Sequence, residues 1–82
     1  MYDVEFSKLA ENQFFKLEKN IQERILSVLE RIKIRPFHFV KRKIGTPYFI
    51  LRIGEYRAVL DIRKDKNIIF IAEAGHRKNI YD

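Results

Sequence analysis

Apolar and polar positions alternate at the start of the chain, then recur at helical spacing, then alternate again. Tyr2, Val4 and Phe6 alternate with Asp3 and Glu5, the period-two pattern of a half-buried strand. Ser7 offers a helix cap. Behind it Leu9, Ala10, Phe14 and Leu17 recur at helical spacing and predict a first helix to about Lys19. Asn20 with Glu23 three residues on reads as a second cap with its capping-box partner. Ile21, Ile25, Val28, Leu29 and Ile32 then fall at i, i+4, i+7, i+8 and i+11, the cleanest amphipathic stripe in the chain. Almost nothing separates the two helices, so they predict an αα-hairpin with its apolar stripes in the core.

Pro36 ends the second helix, because the residue before a proline is pushed out of the α region. From Phe37 to Pro47 no period holds, and the stretch reads as an irregular basic connection. Strand patterns follow at Tyr48–Ile53 and Tyr56–Ile62, joined by Gly54-Glu55, a two-residue loop with glycine first, as a type II′ hairpin requires. Residues 63–67 form a polar turn. Ile68–Ala74 is a third strand of the meander, rich in β-branched residues, and Gly75 is expected to break it. The order is β-α-α-β-β-β. It predicts an α+β fold: an N-terminal strand, the αα-hairpin, then a three-stranded antiparallel meander, with the helices packed on one face of an antiparallel sheet.

Composition narrows the function. Eighty-two residues leave room for one domain, residues 1–82. The absence of cysteine excludes disulfide staples, thiol catalysis and cysteine-zinc sites. The core must close by packing alone, with seven Phe and four Tyr supplying much of the area. Apolar runs are too short to span a membrane, and the start lacks a signal peptide, which makes the cytoplasm the expected location. Charge is unevenly placed. Residues 1–30 carry four basic and six acidic groups, residues 31–57 eight basic and one acidic, and the whole chain nets +6. A basic centre between near-neutral ends suits either a polyanion or a solubilising role.

Hairpin arithmetic locates a candidate site. With Gly54-Glu55 as the turn, Arg52 opposes Arg57 directly, and like charges across a strand pair repel. Either a carboxylate such as Glu73 drains that charge, or the two guanidinium forks are kept for an anion such as phosphate. After the last strand come His76, Arg77, Lys78 and Tyr81: an imidazole suited to proton transfer near neutral pH, two cations and an aromatic ring. Taken singly, His76 fits an ordinary loop position and Tyr81 a hydrophobic tether. With two histidines and no carboxylate cluster around them, neither a metal site nor a cofactor is expected. The set suits nucleic-acid phosphates better than carbonyl chemistry.

The run from Leu51 to Ile62, with its Gly54-Glu55-Tyr56-Arg57 turn, followed by Ile69 to Tyr81 with Gly75-His76-Arg77, resembles the RelE/ParE superfamily of toxins from type II toxin–antitoxin systems. The resemblance spans nearly the whole chain. It implies a RelE-type fold and a ribosome-dependent mRNA endonuclease (an mRNA interferase) that cuts messages in the A site and inhibits translation. A RelB-like antitoxin, the ribosome and mRNA would be its partners. The alternatives are a ParE-like gyrase poison and a disarmed member acting through antitoxin binding. By the same resemblance Arg57 stabilises the transition state, Arg77 protonates the leaving group and Tyr81 stacks on or orients a base. Lys41, Arg42, Lys43, Arg52 and Lys78 are the expected RNA- and phosphate-binding cations. Well-known RelE members carry paired lysines on the strand before the Tyr-Arg turn, whereas Tyr48–Arg52 contains none. Lys41, Lys43 and His76 are therefore the candidates for the general base.

Overall fold

The computed structural model describes residues 1–80. Strand β1 (Asp3–Phe6) leads into helices α1 (Lys8–Phe15) and α2 (Lys19–Ile32). A single 3-10 turn (Pro36–His38), a two-residue strand β2 (Lys41–Arg42) and the strands β3 (Phe49–Ile53), β4 (Tyr56–Arg63) and β5 (Ile68–His76) follow. The five strands make one sheet in the order β1-β5-β4-β3-β2. The α+β architecture is the expected one, but the sheet is mixed: β1 runs parallel to β5, and the remaining pairs are antiparallel. Alternation identifies strands without saying which edges meet. β5 takes an interior position, flanked by β4 and β1, and the αα-hairpin carries the chain from β1 at one edge of the sheet to β2 at the other.

Local chemistry explains where the helices begin and end. The Ser7 hydroxyl accepts from the Ala10 N–H at 2.9 Å and donates to the Ala72 carbonyl at 2.7 Å, so one side chain caps α1 and ties it to β5. α1 stops at Phe15, four residues short of the expected end. The Gln22 amide donates to the Leu17 carbonyl at 2.9 Å, supplying a partner for the connection just past that helix end. α2 begins one residue before Asn20, with Glu18 as its cap and no side-chain cap bond, so the Asn20–Glu23 capping box is not the one used. The expected stripe does face the sheet: Ile25, Leu29 and Ile32 are buried. At the far end the Tyr2 N–H donates to the Lys33 carbonyl at 2.9 Å, which satisfies a group the helix leaves open.

The β3–β4 register is the one the turn dictated, with Ile53 opposite Tyr56, Arg52 opposite Arg57 and Leu51 opposite Ala58. Gly54 has φ 60°, a conformation that favours glycine. β2 was hidden in the irregular connection. Two residues show no period, and it exists because Lys41 and Arg42 pair with Ile50 and Phe49. β5 does not break at Gly75. It continues to His76, with Gly75 opposite Arg57. A β-carbon on Gly75 would lie 3.4 Å from the Ile80 side chain, so its bareness makes room for the returning tail. Between Val59 and Leu60 the register slips by one residue, leaving Ala72 as a bulge in β5.

Two apolar clusters sandwich the sheet. The larger lies under the helices and joins Phe14, Ile25, Leu29 and Ile32 to Leu51, Leu60, Ile69 and Ile71. Each such side chain contributes about 1.5–3 kcal/mol on burial. The smaller occupies the opposite face, where Ile80 from the tail packs on Ile50 and Val59 beside Ala72.

Candidate functional site

Pleating sorts the strand residues between the two faces. Leu51, Ile53, Ala58 and Leu60 point to the helices, so their neighbours Ile50, Arg52, Arg57 and Val59 share the helix-free face. Two arginines thus stand side by side on that face, one strand spacing apart. The Arg57 Nη1 donates to the Ile80 carbonyl at 3.2 Å, and Ile80 is itself pinned by the small apolar cluster. A half-buried guanidinium is thereby oriented in part by a main-chain acceptor. Glu73 does not sit opposite either arginine. It opposes Val59, and its carboxylate accepts from the Gln13 amide at 3.3 Å. Gln13 in turn accepts from the Ala74 N–H at 2.9 Å, so this pair belongs to the α1–β5 seam.

Arg77 begins the tail at the turn end of the hairpin. Its N–H donates to the Glu55 carbonyl at 2.8 Å, and its Nε lies 2.8 Å from Glu55 Oε2. The contact through Nε aims the guanidinium while leaving its outer nitrogens for a ligand. Both side chains are more than half exposed, so this ion pair adds no more than about 1 kcal/mol to stability. The tail then turns tightly. Asn79 and Ile80 N–H groups donate to the His76 carbonyl at 2.9 and 3.2 Å, and the Lys78 N–H donates to His76 Nδ1 at 3.1 Å.

The other expected residues divide by face. His76 opposes Tyr56, their rings 5.3 Å apart, and alternation puts both on the face away from Arg57. Lys41 opposes Ile50 and shares the helix-free face, whereas Arg42 pairs with Phe49 and its guanidinium lies 5.8 Å from that ring on the other side. Lys43 follows β2, its N–H bonded to the Tyr48 carbonyl at 2.9 Å, and lines a groove of about 480 Å³ on the helix-free face. Lys78 is exposed in the tail turn. Tyr81 lies outside the described residues.

Tyr48, Thr46 and Glu55 are additions that the sequence pattern did not single out. Tyr48 and Thr46 line the same groove as Lys43, Val59 and Ile80, and the partly exposed Tyr48 ring offers a stacking surface. The signal for Glu55 was present: a carboxylate in a two-residue turn beside a basic tail. Among the described residues, no group of three or more His, Asp or Glu is placed to hold a metal ion. At the far end of the sheet, a hydrogen bond from Arg63 to Asp61 and the charge of that carboxylate raise the guanidinium above its ordinary value, so Arg63 stays charged.

A small sheet thus carries an αα-hairpin on one face and, on the other, the arginine pair and the groove lined by Lys43 and Tyr48, and comparison with known proteins gives this arrangement its class: toxins of type II toxin–antitoxin systems. The family described as the ParE toxin of type II toxin–antitoxin systems matches residues 4–81, and the chain belongs to it. The fold is also that of solved RelE toxins. The toxin–antitoxin complex RelBE2 from Mycobacterium tuberculosis aligns with a TM-score of 0.84 at 24% identity, covering 93% of this chain and 98% of that one. The isolated Escherichia coli RelE toxin gives 0.81 at 19% identity over 93% and 84% of the two chains. The archaeal RelE–RelB complex from Pyrococcus horikoshii gives 0.80 at 22% identity over 96% and 98%. No curated protein sequence matches the chain.

Proposed function

We propose that this toxin is an endoribonuclease of the RelE kind, cutting messenger RNA in the ribosomal A site, and that an antitoxin neutralises it by covering the same face. The observation that carries this reading is the cluster of guanidinium groups at one end of the helix-free face: Arg52 and Arg57 in register, with Arg77 aimed by Glu55. The solved relatives with RelB bound support an antitoxin partner.

Cleavage would run through the RNA's own 2′-hydroxyl. Its oxygen attacks the adjacent phosphorus, the bond to the 5′ oxygen breaks, and a cyclic phosphate and a free 5′-hydroxyl result. Charge builds on the phosphoryl oxygens on the way, and preset guanidinium groups stabilise that charge without reorganising. Arg57 has this role, with Arg52 beside it. Arg77 faces the leaving oxygen. An arginine is a weak acid on its own, so it acts by hydrogen bonding and charge while water supplies the proton. Lys41 and Lys43, on the arginine face, are better placed than His76 to take the 2′-hydroxyl proton. The Tyr48 ring stacks on a base at the groove wall.

Replacing Arg57→Ala or Arg77→Ala should lower cleavage by about 10²–10³-fold, the usual cost of losing one transition-state donor. Toxicity should fall with it while the fold persists. Cell-free translation of a defined message, with 5′ ends mapped by primer extension in the presence and absence of ribosomes, checks both. Wild-type cutting by both folded variants would refute the arginine roles. A second reading, gyrase poisoning of the ParE kind, is favoured by the family that matches and by the lysine-free strand β3. It predicts intact message and gyrase-linked DNA breaks in a supercoiling assay.

A further inference from the structure

A second cationic cleft, of about 430 Å³, lies around the β3 edge from the site just described, between α2 and β3. Arg24 and Arg31 line it from α2, seven residues and therefore about 10 Å apart along one side of the helix. Arg52 lines it from the strand, and among the described residues no acidic one does. Neither Arg24 nor Arg31 has a carboxylate partner among the described residues. Arg24 is laid against the hairpin turn, its Nη1 3.1 Å from where a β-carbon on Gly54 would stand. The same cleft holds Phe39, a residue 43% exposed.

We propose that this cleft binds the phosphate backbone of the substrate RNA next to the cut, so that the strand passes from the Arg52–Arg57 pair over the β3 edge and along α2. The inference rests on the endoribonuclease reading for the identity of the strand. Charge alone would also suit an acidic polypeptide. Three features favour RNA. Arg52 belongs to both the cleft and the arginine pair, so cations run unbroken from one to the other. Phe39 presents an aromatic face, which stacks on any base. The apolar floor, Leu51 and Ile53, is already buried under the helices and offers no pockets for peptide side chains.

The test uses a fluorescein-labelled 12-nucleotide RNA, 2′-O-methylated throughout so that it cannot be cut, and the matching trinucleotide. Anisotropy is read over a range of salt for the whole protein, for Arg24→Glu/Arg31→Glu and for Arg24→Lys/Arg31→Lys, each checked by thermal melting. Charge reversal should weaken binding of the 12-mer at least tenfold. It should also reduce the slope of log affinity against log salt by about 1.4, two phosphate contacts at about 0.7 each. The trinucleotide should be unaffected, and the lysine variant should bind nearly as the parent does. Equal affinities and slopes, no binding of the 12-mer by the parent, or an oligoglutamate peptide that binds more tightly and is the one lost on charge reversal would each overturn the cleft. The two readings fail separately. Absence of cleavage with 12-mer binding still dependent on Arg24 and Arg31 removes the nuclease and keeps an RNA cleft, whereas intact cleavage with an unchanged slope removes only the cleft.

Discussion

Glu55 occupies the second position of a two-residue turn, where its carbonyl and carboxylate both engage Arg77, at 2.8 Å in each case. Its job is positional, since an exposed pair of this kind contributes little to folding. Glu55→Ala should therefore change the unfolding free energy from a urea melt by less than about 1 kcal/mol, yet slow single-turnover cleavage about tenfold through a misaimed guanidinium. Glu55→Gln, which keeps an acceptor oxygen, should recover most of the rate. A loss of stability that tracks the loss of rate would point instead to a merely structural turn. The Arg52–Arg57 pairing was legible in the sequence because a two-residue turn fixes register. The role of Glu55 was not, because it depends on where the tail returns, and no local pattern encodes that.

At the scale of elements, legibility follows the length of the pattern. α2 carries five stripe positions, which located it but not its ends: its cap is Glu18 rather than Asn20, and it stops at Ile32, ahead of the proline expected to end it. β2 has two residues and no pattern at all. The extension of β5 through Gly75 was unreadable for another reason: glycine there serves a contact with Ile80, six residues from the strand's expected end, rather than a turn. His76 was expected in a loop after the strand, but it is the last residue of β5 and takes its face from the pleat. Ser7 shows how one element depends on another. Ser7→Ala removes the α1 cap and a bond to the Ala72 carbonyl at the bulge, and should cost about 1–2 kcal/mol in a urea melt. The same variant should raise amide exchange along α1 first.

The whole molecule is a sheet with unequal faces. One is sealed by two helices and a dozen buried side chains, the other by a short tail whose main anchor is Ile80. Ile80→Ala removes most of that anchor's side chain and should destabilise the protein by about 2 kcal/mol or more. Because Arg57 is held by the Ile80 carbonyl, cleavage should fall further than global stability explains, and hydrogen exchange should show the tail loosened while α2 stays protected. Charge follows the same division. The span from Arg31 to Arg57 holds most of the excess cations and supplies the arginine pair, Lys41 and Lys43, so affinity for a polyanion should drop steeply with salt.

The parallel pairing of β1 with β5 has a consequence for how the toxin is made. Phe6 takes its place beside Ile71, and Ser7 bonds to Ala72 across 65 residues of chain. A contact so distant in sequence forms late and closes slowly. During synthesis β1 has no partner strand until β5 has been made, and until then the arginine pair has no finished sheet to stand on. Whatever target the helix-free face recognises, that face comes into being only after residues 68–76 have been made, so a shorter nascent chain carries the arginines without the surface that presents them.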